Sequence, residues 1–407
     1  MKKSILKKYA RLVARTGVNV QKGQEVIITA ELDQPEFVKY VVEECYKAGA
    51  KTVTVEWNYQ PLTKTNVKYR SLATMSTIPE WQIAKIKHAI DVIPAQIHIL
   101  SADPDGLKGI DQMKMAKAAR KTFPIIKPLR DQMENKYQWT IVGVPSAAWA
   151  KKVFPDLPKK QAIEKLWQAI LSTSRVSDDP VQAWKEHNAD LLARCDYLNS
   201  LNLEYLSYKS KNGTDFKVWM LDKAQWLGGG NKSLQGIYYN PNMPTEECFI
   251  TPLKGKAEGI VYATKPLSYH GEMIEDFSIT FKDGKVSEFH AKKGEELLKQ
   301  MITMDEGASY LGECALVPFD SPIRNSGILF FNTLYDENAA CHLALGMGFS
   351  DTIKDYAKYT KAEFDAMGVN DSMIHVDFMI GSEDLSVIGH TRDGKDVPIF
   401  KKGNWAF

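Results

Sequence analysis

Glu25-Val26-Ile27-Ile28-Thr29 and Ala50-Lys51-Thr52-Val53-Thr54-Val55-Glu56 are short runs rich in β-branched residues, and residues 35–48 between them carry apolar side chains at helical spacing. A helix between two strands is a crossover rather than a hairpin, so the strands are predicted to lie parallel. The alternation continues outward in both directions. Residues 5–15 have helical spacing ahead of the first strand. Downstream, helical spacing over 80–90 precedes Ala95-Gln96-Ile97-His98-Ile99-Leu100, and helical spacing over 113–121 precedes Trp139-Thr140-Ile141-Val142-Gly143-Val144. The expectation is an α/β N-terminal domain with a mainly parallel, helix-covered sheet.

Nothing in that domain is built for a nucleotide. No Gly-x-Gly-x-x-Gly follows the first strand, where a dinucleotide fingerprint would have to sit. Gly228-Gly229-Gly230 comes later, after Trp226, without a strand-to-helix context, and reads as a flexible turn. The basic series Lys114, Lys117, Arg120 and Lys121 has helical spacing and no interleaved aromatic residues, so it reads as a solvated helix face.

Residues 160–172 and 180–198 form a helical bridge, after which the texture changes. Residues 205–211, 215–221, 259–263 and 274–281 read as strands, Lys282-Asp283-Gly284-Lys285 as a hairpin turn, and 295–304 as a helix. The predicted organisation is therefore an α/β domain with its helical bridge over 1–200 and an α+β, barrel-like domain over 201–407. A chain of 407 residues is long enough for two or three domains.

Composition bounds the function. A net charge of +2 gives no electrostatic case for nucleic acid, an acidic partner or a membrane surface. The N-terminus begins basic, but Lys7, Lys8, Arg11 and Arg15 interrupt any signal-type apolar stretch, and an amphipathic first helix is expected. No apolar run approaches the roughly eighteen residues that would span a bilayer. Five cysteines, an odd number at irregular spacing, do not make a disulfide framework, which points to the cytoplasm.

The chemistry concentrates in the last two-fifths of the chain. Asn332-Thr333-Leu334-Tyr335-Asp336-Glu337-Asn338-Ala339-Ala340-Cys341-His342-Leu343-Ala344-Leu345-Gly346 sets four polar residues and one histidine between an apolar run and small residues. Packing alone does not gather such groups, because each costs free energy to bury unless paired or bound. Pro244-Thr245-Glu246-Glu247, Gly312-Glu313-Cys314 and Ile374-His375-Val376-Asp377-Phe378 add further donors. His375 and Asp377 are two apart on a strand, so both leave one face while Val376 and Phe378 anchor the other. Asn338-Ala339-Ala340 resembles a helix start, with Asn338 as the cap ahead of His342. Cys248, Cys314 and Cys341 each adjoin a donor. Thiolates suit zinc, but strand alternation turns Cys248 and Cys314 to the opposite face, as small buried residues behind the site.

These segments, taken with Asn242-Met243 upstream of Pro244, Leu311 upstream of Gly312 and Met379-Ile380-Gly381 after Phe378, resemble those of the thermophilic-type metalloaminopeptidases, the aminopeptidase T, aminopeptidase S and PepS group. The likeness includes Gly17-Val18-Asn19-Val20-Gln21-Lys22-Gly23 and Gly403-Asn404-Trp405-Ala406, and so spans essentially the whole chain. It implies an N-terminal α/β domain, a C-terminal metal domain and a homodimer that removes N-terminal residues from peptides. It also implies that Glu247, Glu313, His342, His375 and Asp377 hold two divalent ions (zinc, cobalt or manganese), with Glu313 serving in proton transfer. Five donors exceed what one open tetrahedral zinc takes from a protein, whereas two ions about 3.5–4 Å apart would use them all.

One position departs from the family pattern. The family carries a tyrosine seven residues after the motif histidine, its hydroxyl directed at the tetrahedral intermediate, and this chain has Phe349 there, at a substrate-binding position. Tyr356 or Tyr359 is the candidate replacement. Two other readings stay open: a catalytically weakened homologue that keeps the metal and binds peptides, and an amidohydrolase acting on non-peptide amides.

Overall fold

A computed structural model describes residues 1–407. The chain forms two units, one of Met1–His187 with Gly230–Pro244 and the other of Asn188–Gly229 with Thr245–Phe407. It passes between them after His187, Gly229 and Pro244. Instead of the single boundary expected at 200/201, there are three crossings, and the first falls inside the Pro180–Ser200 helix. The second and third crossings arise because the two-residue strand Asn242–Met243 returns to the first unit's sheet, where it pairs with Trp139–Gly143.

The first unit is the predicted parallel sheet. Its strands run in the order Thr52–Asn58, Glu25–Glu31, Ala95–Leu100, Trp139–Gly143 and Asn242–Met243, every pair parallel. Val26, Ile28 and Ala30 are sealed on one face of the Glu25–Glu31 strand. The Pro35–Ala48 helix buries Phe37, Val38, Val41 and Cys45, and ends at Gly49, whose φ of 106° is a conformation that glycine adopts readily. The first helix is amphipathic as expected, with Tyr9, Ala10 and Leu12 buried over Lys3–Leu12.

The second unit is antiparallel. One sheet joins Cys248–Ile250, Leu311–Leu316, His342–Gly346 and His375–Met379 in that order. A nine-stranded sheet is centred on Pro252–Tyr262, Asp215–Met220, Leu203–Lys209 and Ser386–Thr391. Its Glu272–Lys282 and Lys285–Lys293 strands meet at Asp283 and Gly284, both with positive φ (51° and 75°), the turn that suits a two-residue hairpin. Core side chains of the two sheets, among them Cys314, Leu343, Leu345 and Phe378 of the smaller and Leu206, Phe216, Val218 and Val387 of the larger, form one apolar cluster. Full burial of such a side chain contributes about 1.5–3 kcal/mol, so the smaller sheet is anchored through one face. Its other face is left for chemistry.

Candidate metal centre

Strand alternation sorts the smaller sheet into an apolar face and a donor face. Cys248, Ile250, Cys314, Leu343, Leu345 and Phe378 belong to the core, which is where the sequence placed Cys248 and Cys314. On the opposite face, Glu313 lies across from Ala344, and Ala344 across from Asp377. Ala315 lies between Phe249 and His342 in the same way, and His375 pairs with Gly346. Glu247 immediately precedes the Cys248–Ile250 strand. Cross-strand partners share a face and stand about 4.5–5.5 Å apart at Cβ, so the two alanines leave open room among the donors.

Two groups of donors result. Glu247, Glu313 and His342 bring one ligand atom each within 4.8 Å of one another, and so do Glu313, His375 and Asp377. Glu313 belongs to both. His342 Nε2 is 3.2 Å from Glu247 Oε2, while His375 Nε2 is 2.9 Å from Glu313 Oε2 and 3.4 Å from Asp377 Oδ1. Each ring is oriented from behind. His342 Nδ1 donates to Ala340 O at 3.1 Å and His375 Nδ1 to Met347 O at 2.7 Å, which turns both Nε2 atoms toward the carboxylates.

The loop ahead of His342 is a scaffold. Asp336 accepts from the main-chain N–H groups of Phe330 and Asn332 at 2.8 and 3.0 Å, which closes the turn before the motif. Asn338, fully buried, accepts the Glu246 N–H at 2.7 Å and donates to Leu334 O at 2.9 Å and to Glu337 Oε1 at 3.3 Å. It thereby ties the strand entry bearing Glu247 to the segment bearing His342. The expected helix start at Asn338 is absent. Asn338 sits within a 3-10 turn over Glu337–Ala339, and His342 opens a strand, because residues 342–346 pair on both sides.

The electrostatics are those of an acid-rich interior. Glu247, Glu313, Glu337 and Asp377 are all buried beside two imidazoles. Burial, with the charges of Asp377 and Glu247, pushes Glu313 up to about 7, although His375 opposes the rise. Burial also raises Glu337 well above the ordinary carboxyl range, reinforced by Asp377 and Glu247. Burial alone would lower His342, but its hydrogen bond to Glu247 and the charges of Glu247, Asp377 and Glu313 carry it to about 10. His375 is raised in the same way by Asp377 and Glu313 against its desolvation. Asp377 is desolvated, yet His375 and His342 hold it below the usual range. Its buried Oδ1 faces His375 Nε2 at 3.4 Å. Buried carboxylate and imidazole donors converging in this way, with carboxylates outnumbering imidazoles, are a donor set that fits divalent cations.

The structure thus brings Glu247, Glu313, His342, His375 and Asp377 into one place. Phe349 lies beside them, its ring centroid 4.6 Å from that of His375. Tyr356 and Tyr359 do not join the donor face. Both pack against the cluster of Leu221, Ile353 and Val369, and Tyr359 Oη accepts from Lys223 Nζ at 2.8 Å. The sequence did not single out Asn338 as a tie between segments, nor Glu337 as a neighbour of the donors. The available signal was two buried-type polar residues placed directly before small ones.

An antiparallel sheet with carboxylates and imidazoles converging on its open face is an arrangement suited to a metal-dependent enzyme. A model of the thermophilic metalloprotease (M29) family matches residues 2–405, so the chain belongs to that family. It is 42% identical over 404 residues to aminopeptidase AmpS of Bacillus subtilis, covering 99% of this chain and 98% of that protein. It is 43% identical to aminopeptidase 2 of Geobacillus stearothermophilus over the same shares of each chain. The solved structure of wild-type AmpT from Thermus thermophilus matches with a TM-score of 0.88 at 36% identity, covering 100% of both chains.

Proposed function

We infer that this protein is a metal-dependent aminopeptidase, and we propose that it works through two divalent ions, one among Glu247, Glu313 and His342 and the other among Glu313, His375 and Asp377. The observation that carries the dinuclear reading is the membership of Glu313 in both groups. When bound, such ions would polarise the scissile carbonyl and lower the pKa of a water between them. Glu313, sealed at 4% exposure and held by His375, is the carboxyl suited to take up and return a proton. The excess of carboxylates over imidazoles favours a cationic α-amino group, which suits peptides with a free N-terminus over internal bonds.

The resemblance to the aminopeptidase T, S and PepS group supports zinc, cobalt or manganese as the ions, and a homodimer. The five cysteines are buried and free, which agrees with a cytoplasmic setting. No helix is long and apolar enough to cross a membrane.

One observation favours a second reading, a weakened homologue that chiefly binds peptides: Phe349 brings a ring without a hydroxyl against His375. Turnover of free and N-acetylated leucyl dipeptides with added zinc, cobalt or manganese tests all of this. Hydrolysis of the free peptides alone is expected. Equal hydrolysis of the blocked ones would favour the amidohydrolase, and tight binding without turnover would favour the weakened homologue.

A further inference from the structure

We propose that Phe249 and Phe349 form the wall against which the first side chain of a peptide substrate packs, so that the enzyme prefers apolar first residues. This rests on the aminopeptidase reading above and adds the substrate class. Phe249 alternates with Cys248 and Ile250, which are 0% and 2% exposed in the core. Its own ring therefore stands on the donor face, two residues from Glu247 and opposite Ala315, and it is only half-buried. Phe349 is half-buried as well. The two rings meet edge to face at 5.7 Å between centroids, with 77° between their planes. Phe349 also lies 4.6 Å from the His375 ring. Two partly open aromatic rings beside a cluster of charged donors form an apolar surface where the surroundings would otherwise favour polar groups.

The rings are held in place. Thr251 Oγ1 accepts from Phe349 N at 2.8 Å and donates to Phe349 O at 3.2 Å, and Thr352 Oγ1 donates to the same carbonyl at 2.8 Å. Phe249 is fixed through its main chain by Leu227, with N–H···O bonds of 2.8 and 2.9 Å in both directions. A wall with its backbone clamped discriminates better than a mobile one, because less ordering accompanies binding. An exopeptidase must hold the free amino group and the first carbonyl at the same centre. The first Cα lies between those two groups, so the first side chain starts two bonds from both the amino nitrogen and the carbonyl carbon. The leaving residue starts beyond the scissile nitrogen. A ring in contact with His375 is therefore within reach of the first side chain before any later one.

Steady-state kinetics on two peptide series test this. The first series, X-Ala with X as Gly, Ala, Leu, Phe, Glu or Lys, varies the first residue, and the second, Leu-Y, varies the next. One methylene in an apolar pocket discriminates by about 10–200-fold, and kcat/KM for Leu-Ala and Phe-Ala should exceed that for Gly-Ala by at least about tenfold. Phe249→Ala should reduce the Leu-Ala to Gly-Ala ratio about tenfold, while Phe249→Leu restores most of it. A wild-type preference for Glu-Ala or Lys-Ala over Leu-Ala overturns the proposal without further variants. So does a Phe249→Ala effect confined to the Leu-Y series, which would assign the wall to the leaving side. If no free-amine peptide is cleaved, the aminopeptidase reading and the wall fall together; cleavage without apolar preference removes the wall alone.

Discussion

Phe349 and Glu313 mark the two ends of what a single residue can decide at this site. Glu313 is shared between both donor groups and is raised to about 7 by burial and its acidic neighbours. Glu313→Gln keeps the shape and one acceptor oxygen but removes the ionisable group. General base catalysis typically contributes about 10²–10⁴, and kcat should fall within that range with the thermal midpoint of the metal-free protein little changed. Near-native turnover at full metal occupancy would pass the proton-transfer role to another acid, with Glu337 an alternative. Phe349 is proposed as the opposite case, a position where the family resemblance expects a hydroxyl and this chain has none. An added donor acting only in the transition state lowers the barrier without tightening the ground state, so Phe349→Tyr should raise kcat by up to about a hundredfold with KM nearly constant. Tyr356→Phe and Tyr359→Phe should be neutral, since both rings pack in the Leu221–Ile353–Val369 cluster away from the donor face. A damaging Tyr356→Phe or Tyr359→Phe change alongside a silent Phe349→Tyr would reverse that assignment.

At the scale of the element, the smaller sheet turns the period of a strand into a division between core and chemistry. Most of this was legible. His375 and Asp377 announce a shared face two residues apart, and Cys314 beside Glu313 announces the opposite one. The misread element was the one holding His342, because Ala339-Ala340-Cys341-His342-Leu343-Ala344-Leu345 suits a helix by local propensity. Pairing on both sides overrides that propensity, and it depends on residues about thirty positions away in either direction. The strand assignment has a consequence for Ala344, fully buried and flanked in register by Glu313 and Asp377. Ala344→Leu would fill the room between two donors. Overpacking by itself typically costs about 1–3 kcal/mol, so the variant should still fold. Added zinc or manganese should raise the melting temperature of the wild type, and that rise should disappear in Ala344→Leu. An undiminished rise in Ala344→Leu would place the ions elsewhere.

At the scale of the whole molecule, the alternation of strands and helices made the parallel unit readable from Glu25 onward, because each element carries its own period. The return of Gly230–Pro244 to that unit was not readable. Its pairing strand is only Asn242–Met243, too short to have a period, and its partner lies about a hundred residues earlier. The centre has the same character. Its donors are scattered from Glu247 to Asp377, and it was the resemblance to a known family, more than any local pattern, that grouped them. Two ions sharing Glu313 is the central claim, and counting them is its most direct test. Bound zinc or manganese per chain should be measured by elemental mass spectrometry after equilibrium dialysis, for the wild type and for Glu313→Ala. Two ions per wild-type chain and almost none in Glu313→Ala is the expected result. One ion per chain, unaffected by Glu313→Ala, would contradict it.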